Sequence, residues 1–403
     1  MRYLSTRSAA ESVDFEAVLT RGLAPDGGLY IPGEVPRLPP EWSSWSYQEA
    51  VVGALELFGG SDVEDLVADA AARFTSPEIA PVVDVADRLV LELFWGPTLS
   101  FKDHALQVVG RLLDRSVVNG TILGATSGDT GSAAIEAVRG SEHLRIVILF
   151  PEGKVSEFQR RQMTTVTDNN VTALAVRGTF DDCQALVKDA FASHELLAVN
   201  SINFARIAAQ IGFYIHAGAR IADRFDVVVP TGNFGNVYSC WMAKQMGVPI
   251  QTITIANNAN RGLHDLVTGG TQGSGEVRQT VAPSMDIGVP SNLERFSGEP
   301  DVEFQAGWSD DEEIIETISS VYESHGYLMD THTATAWRAG GNTRSEHAQL
   351  VVSTAHPAKF PEALQRAVGF RPMVPEGFPN LYELPEHFDV IDPSPSALDP
   401  FIR

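Results

Sequence analysis

Basic side chains are scarce in this chain, yet one lysine stands where an amine could be put to chemical use. In "FWGPTLSFKDHALQ" (Phe94 to Gln107) a Gly-Pro turn runs into Thr98, Ser100 and Phe101, and a helix-like run then opens at Lys102. A lysine at a helix start meets the positive end of the dipole, and apolar Leu99 and Phe101 beside it would desolvate the ammonium. Both effects weaken its hold on a proton, which an amine nucleophile requires. Taken alone, the same residue also reads as a solvated lysine on a helix shoulder.

Two glycine-bearing loops offer a second kind of chemistry. "TSGDTGSAA" (Thr126 to Ala134) follows a strand-like run and opens a helix-like one. Gly128 and Gly131 let the backbone approach a ligand, and free N–H groups at a helix start attract an anion. The pattern also fits a plain strand-to-helix turn capped by Thr130 or Asp129. "VVVPTGNFGNVYS" (Val227 to Ser239) repeats the design. GNFGN is not GxGxxG, and GxxxxGK[ST] is absent, so the usual nucleotide loops are disfavoured. Two separate anion cradles imply a ligand system with two or more anionic groups. Metal and triad chemistry find little support. The histidines are scattered without ligand spacing, Cys183 and Cys240 form no CxxC pair, and no GxSxG elbow occurs.

These residues need a frame to position them. From "RLVLELF" to "IQTITIA", short β-branched runs alternate with amphipathic ones, which predicts βα units and a mainly parallel sheet. The predicted helices include "KDHALQVVGRLLDRS", "TGSAAIEAVRG", "VSEFQRRQMTT", "FDDCQALVKDAFASH" and "GNVYSCWMAKQMG". Residues 1–85 read as a mostly helical N-terminal piece. A smaller α/β domain is expected at about 86–205, carrying Lys102 and the first glycine loop, and a larger α/β domain at about 206–403, carrying the second. Beyond 262 the pattern weakens. "GGTQGSGE" is expected to be a flexible loop, "SDDEEIIETISSVYESHG" an acidic-fronted helix, and "QLVVSTAHP" a strand and loop followed by a helix from Pro357.

The bulk composition agrees with an α/β protein of two domains, since 403 residues at 44% hydrophobic content support a large core. The net charge of -23, from 29 basic against 52 acidic residues, repels nucleic acid and anionic membranes. It would repel a phosphorylated small substrate as well, so an anion site must be built locally from helix N-termini and a few arginines. No run of 18 apolar residues suggests a membrane span, and "MRYLSTRSAAES" lacks the apolar core of a secretory signal. With two distant cysteines, the expected compartment is the cytoplasm.

In order along the chain, "GPTLSFKD", "ATSGDTGSAA", "NSINFARIAAQ", "PTGNFGN" and "STAHPAKF" together resemble the threonine synthase family. These are pyridoxal-phosphate enzymes of the tryptophan-synthase β-like fold (fold type II). The resemblance covers nearly the whole chain, including "YLSTR", "GLAPDGGLYIP" and "GTFDDCQALVKDAF". It implies that Lys102 forms a Schiff base with pyridoxal phosphate and later shuttles protons. Gly232, Asn233, Phe234, Gly235 and Asn236 would hold the cofactor phosphate, and Thr354 would face the pyridine nitrogen. Ser127, Gly128, Asp129 and Thr130 would hold the substrate α-carboxylate and lie near the cofactor 3-hydroxyl. Asn200, Ser201 and Arg206, with Thr126 or Thr130, would take the substrate phosphate; Lys154 is either a further phosphate ligand or a surface residue. The implied reaction is a lyase reaction converting O-phospho-L-homoserine and water into L-threonine and phosphate, in a monomer or homodimer.

Some positions depart from the family pattern. Trp95 stands where "FHGPT" would have histidine, Arg261 in "ANNANRG" where an acid is usual, Thr331 where proline is common, and Asn236 where Asp is frequent. If Trp95 and Arg261 flanked the site, another phosphorylated or β-substituted amino acid could be the substrate. A non-catalytic paralogue is a further alternative, against which intact Lys102, GNFGN and Thr354 argue.

Overall fold

The computed structural model describes residues 1–8, 11–117, 119–126, 128–270, 277–297, 303–343 and 345–402. At the N-terminus, strands β1 (Tyr3–Ser5) and β2 (Tyr30–Pro32) pair antiparallel, with helix α1 (Phe15–Arg21) between them. Helices α2 (Tyr47–Leu57) and α3 (Glu64–Ala71) follow. A capping box starts α2: Ser46 Oγ accepts from the Glu49 N–H while the Glu49 carboxylate accepts from the Ser46 N–H.

Next come the hairpin β3 (Val82–Val85) and β4 (Arg88–Glu92), then α4 (Lys102–Ser116). A run of βα units continues with β5 (Gly120–Ala125), α5 (Asp129–Val138), β6 (Leu144–Pro151), α6 (Glu157–Thr164), β7 (Val171–Val176) and α7 (Phe180–Ser193). Helix α8 (Phe204–Ile221) leads into β8 (Phe225–Pro230), α9 (Gly235–Met246), β9 (Ile250–Asn257), α10 (Gly262–Val267) and β10 (Gln305–Trp308). The chain closes with α11 (Asp311–His325), α12 (Thr331–Gly341), β11 (Ala348–Ser353), α13 (Pro361–Val368), β12 (Asp389–Ile391) and α14 (Pro395–Ile402).

Two sheets result. The larger has the order β10-β9-β8-β11-β4-β3 and is parallel except for the β3–β4 hairpin; the smaller, β12-β7-β6-β5, is parallel throughout. Every residue of β8 is buried, as expected of a strand covered by helices on both faces. The sheets do not divide at the expected boundaries near 86 and 206. Strand β4 lies within 86–205 but pairs with β11 in the larger sheet, and β12 lies within 206–403 but pairs with β7 in the smaller. A local pattern identifies a strand and not the partner it finds far along the chain.

The helix that joins the halves was passed over by the periodicity argument. All of α8 from Phe204 to Gly218 is buried, so it has no polar stripe to mark it. It packs on α2, α4 and α9. Asn203 starts it, accepting from the Ala205 N–H at 3.0 Å and donating to the Leu19 and Ala198 carbonyls at 2.8 and 3.0 Å. Of the expected loop "GGTQGSGE", Thr271 to Glu276 lie outside the described residues. Among the described residues, no helix is long and apolar enough to cross a membrane.

Candidate active site

Three of the singled-out loops share one topological position. Thr126 follows β5, Gly232 follows β8 and Thr354 follows β11, so each leaves the carboxyl end of a parallel strand. Lys102 follows β4, parallel to β11, after a nine-residue approach. Ligands of open α/β sheets bind at such ends. Here the ends surround a cavity of about 340 Å³ between the two sheets.

The approach to Lys102 is a closed turn. The buried Asp103 carboxylate accepts from the Thr98 N–H at 2.8 Å and the Thr98 hydroxyl at 2.7 Å. Gly96 is required here, because a Cβ on it would run into the Asp103 side chain. Leu99, at φ +59°, takes the left-handed conformation and buries its side chain. Lys102 Nζ then enters the cavity 3.2 Å from Asp129 Oδ2, with Phe101 alongside. Burial pushes the Lys102 ammonium below the usual lysine range; Asp129 opposes this, while Lys359 and Arg206 add to it. The desolvation expected from Leu99 and Phe101 is thus part of a wider enclosure.

Asp129 sits at the start of α5 and is almost fully buried. Burial alone would raise its pKa, but Lys102 and Lys359, with the Gln159 amide, hold it well below the usual carboxylate range. An ionised Asp129 repels a carboxylate. Thr126 Oγ1 accepts from the N–H groups of Gly128 and Gly131 at 2.9 and 3.0 Å. Its oxygen therefore staples the loop, leaving only its O–H to donate. Gly128 (φ +148°) packs against the Gln159 side chain and does not line the cavity, whereas Thr130 does. Ser127 lies outside the described residues.

The second loop forms the opposite wall. Gly232, Asn233, Phe234, Gly235 and Asn236 line the cavity, with Phe234 in the left-handed region at φ +66°. The first N–H groups of α9 have no intrahelical acceptor. A side chain at Gly232 would collide with the Ser284 carbonyl, so only glycine fits. Asn236 accepts from the Tyr214 hydroxyl, while its own Nδ2 is buried without a partner. Asn200, Ser201 and Arg206 line the same cavity, and Ser201 lies next to Gly235. The expected ligands of the substrate phosphate therefore adjoin the second glycine loop. Arg206 donates to the Val199 carbonyl at 2.8 Å, and its buried Nε has no partner. Burial brings its pKa down to about 10. Thr354 completes the wall.

Lys154 is exposed and does not line the cavity; of its two expected readings, the surface one fits. Neither Trp95 nor Arg261 lines it either. Trp95 Nε1 donates to Glu92 at 2.9 Å, and Arg261 lies over the Trp308 ring at a separate surface groove.

Four residues in this network were not anticipated. Gln159 Nε2 donates to Asp129 Oδ1 at 2.8 Å, and Ser284 Oγ to Asp129 Oδ2 at 3.2 Å. Lys359 Nζ lies 3.0 Å from Asp129 Oδ1. His332 Nε2 accepts from the Ser284 N–H at 3.1 Å, so its ring proton sits on Nδ1 and is donated to Asp330 at 2.7 Å. Only Lys359 left a trace in the sequence, as a lysine inside the otherwise apolar "HPAKFP" of a lysine-poor chain.

Comparison with known proteins agrees with this geometry. Residues 2–69 match the family model described as threonine synthase N terminus, 82–354 that of pyridoxal-phosphate dependent enzymes, and 333–402 that of threonine synthase, C-terminal. The chain is 38% identical to threonine synthase of Pseudomonas aeruginosa, covering 100% of this chain and 98% of that one. It is 36% identical to threonine synthase of Schizosaccharomyces pombe, covering 91% and 89%. Among solved structures, pyridoxal-phosphate-bound threonine synthase from Brucella melitensis superposes with a TM-score of 0.94 at 38% identity, over 100% of this chain and 98% of that one. The yeast enzyme gives 0.91 at 33%, over 99% and 97%. The chain belongs to the threonine synthase family of pyridoxal-phosphate-dependent enzymes.

Proposed function

We propose that this cavity converts O-phospho-L-homoserine and water into L-threonine and phosphate. The observation that carries the reading is the enclosed Lys102 amine, 3.2 Å from Asp129, in a cavity also lined by the second glycine loop and the adjoining Asn200, Ser201 and Arg206. The residues fit a phosphate-bearing cofactor and a phosphorylated substrate: a loop with room only for glycine at 232, an unpartnered Asn236 amide and an unpartnered Arg206 Nε. Lys102 would carry pyridoxal phosphate. Gly232, Asn233, Phe234, Gly235 and Asn236 would hold its phosphate on backbone N–H groups and the α9 dipole. Thr354 would face the ring nitrogen, and Asp129 would lie beside the 3-hydroxyl.

Bound there, pyridoxal phosphate supplies the electron sink that lets a Cα proton leave. The protein does the rest. Thr130, which lines the cavity, would orient the α-carboxylate. Asn200, Ser201 and Arg206, with the Thr126 or Thr130 hydroxyl, would hold the departing phosphate. Lys102 would take the Cα proton and return one at Cγ, and burial favours the neutral amine this needs. One lysine serves several transfers because the cavity is closed around it. Loss of a Cβ proton expels phosphate from Cγ; after a proton returns at Cγ, water adds its hydroxyl at Cβ, its remaining proton leaves with the phosphate, and Cα is reprotonated.

Trp95 and Arg261 do not line the cavity, which removes the main reason to assign another substrate. We place the enzyme in the cytoplasm, as a monomer or homodimer, with both cysteines free and buried. We divide it as an N-terminal region and two sheet-centred units joined by α8. The test is phosphate release from O-phosphohomoserine by the purified protein, beside a Lys102→Ala variant. Release by the wild type, falling at least ~10³-fold in the variant, is expected; no release by the wild type sinks the reading.

A further inference from the structure

Lys359 is fully buried yet does not line the cavity; it stands behind Asp129. It ends a 3₁₀ turn, Pro357–Lys359, that follows the Thr354 loop. Its ammonium donates to the Thr98 carbonyl at 2.7 Å and to Gln162 Oε1 at 2.8 Å, and it forms an ion pair with Asp129 Oδ1 at 3.0 Å. Two hydrogen bonds and one ion pair satisfy the charge in place. The acceptors come from the loop before Lys102, from α6 and from α5, while Lys359 itself comes from the larger sheet's side. It is therefore a tether across the cavity floor.

The two oxygens of Asp129 are divided between two environments. Oδ1 is tied down by Lys359 and by Gln159. Oδ2 faces Lys102 Nζ and the Ser284 hydroxyl. We propose that Lys359 is a positioning residue that pins one oxygen of Asp129 so that the other is presented to Lys102 and the chemistry around it. This rests on the reading that Lys102 carries the cofactor. Lys359 touches neither substrate nor cofactor and acts through Asp129.

The charges around the pair fix the direction of the effect. Asp129 is faced by Lys102 from α4, Lys359 from the 3₁₀ turn and His332 from α12; Lys102 is faced by Asp129, Lys359 and Arg206 of α8. Asp103 also feels Lys359. Removing the Lys359 charge takes a cation away from the Lys102 nitrogen. It also leaves Asp129 with Lys102 as its one remaining close ammonium. Both changes favour the protonated Lys102 nitrogen.

The experiment titrates, against pH, the visible absorbance of the Lys102-linked cofactor in the holoenzyme. It compares wild type, Lys359→Gln, Asp129→Asn and the double variant. In Lys359→Gln the midpoint should rise by about one pH unit, with kcat falling more than KM changes. In the Asp129→Asn background the same substitution should shift it by clearly less. An unmoved midpoint in Lys359→Gln overturns the proposal. So does an equal shift in both backgrounds, which would mean a direct effect on Lys102. If Lys359→Gln does not fold, the double variant should, because no uncompensated carboxylate then remains; a double variant as unfolded as the single overturns the proposal. Absence of the absorbance band from the wild type would instead be a failure of the cofactor reading.

Discussion

The carbonyl of Thr354 accepts the backbone N–H of Phe101 at 2.8 Å. The Ser100–Ala355 bridge and the His356 N–H to Leu99 carbonyl bond, at 3.0 Å, extend this contact into a short antiparallel clamp. The residue before the candidate catalytic lysine is thus held by the backbone of the residue proposed to face the cofactor ring. Only main-chain atoms of Thr354 do this, which leaves its side chain free for another task.

It follows that Thr354→Val should keep the clamp and lose the hydroxyl. Cofactor should still attach to Lys102, while kcat falls about 10²-fold. Absorbance of the purified variant and steady-state kinetics check both parts. A variant that loses cofactor altogether would show that the side chain, and not the clamp, holds the site together.

Arg206 is a buried cation with one guanidinium bond to a carbonyl and an unpartnered Nε. Leaving a buried charge under-compensated is costly, so an anion that reaches it should stabilise the fold. Inorganic phosphate should raise the Tm of the wild type and have little effect on Arg206→Gln. The variant should also lose about 10²-fold in kcat/KM, mainly through KM. An unchanged phosphate response in the variant would remove Arg206 from the anion site.

What the sequence made legible is what local physics controls. The run "KDHALQVVGRLLDRS" is α4, Lys102–Ser116, and "VTALAV" is β7, Val171–Val176. The helix shows its amphipathic period, and the strand its short apolar, β-branched run, within a few residues. The grouping of Lys102, Thr126, Gly232 and Thr354 came from the family resemblance, and the structure supplies its physical basis, because loops after parallel strands share one edge. Helix α8 was not, because a helix buried on all sides has no amphipathic period. Sheet membership of β4 and β12 was not, because pairing is a long-range choice. Gln159, Ser284 and Lys359 reach Asp129, and His332 reaches Ser284, from four distant segments, and no local pattern says which distant side chains will meet.

Gly232 tests the cofactor cradle by shape alone. A Cβ there collides with the Ser284 carbonyl, and backbone cannot swing aside as a side chain can. Gly232→Ala should force the loop away from Ser284 and weaken cofactor retention by at least about tenfold, with a small change in Tm of the apoprotein. Equilibrium dialysis of pyridoxal phosphate measures this. Wild-type retention would place the cofactor phosphate elsewhere.

Asp103 gives the pH dependence. Burial raises its pKa from 3.8 to about 6, against the two bonds from Thr98, which pull it down. The folded state therefore binds this proton more tightly than the unfolded chain does. Its contribution is most favourable below about pH 4 and is lost as pH rises through about 6. By pH 7 the ionised group costs on the order of 3 kcal/mol. Asp103→Asn removes that cost and can keep both contacts, since its carbonyl accepts from the Thr98 N–H and its amide donates to the Thr98 hydroxyl. The variant should be at least as stable as the wild type at pH 7. Denaturant titrations between pH 4 and 7 should show that the fall contributed by this group has gone. A variant clearly less stable at pH 7, with an unchanged pH profile, would mean that the carboxylate stabilises the turn through its charge, with the Lys359 ammonium as the natural source of that attraction.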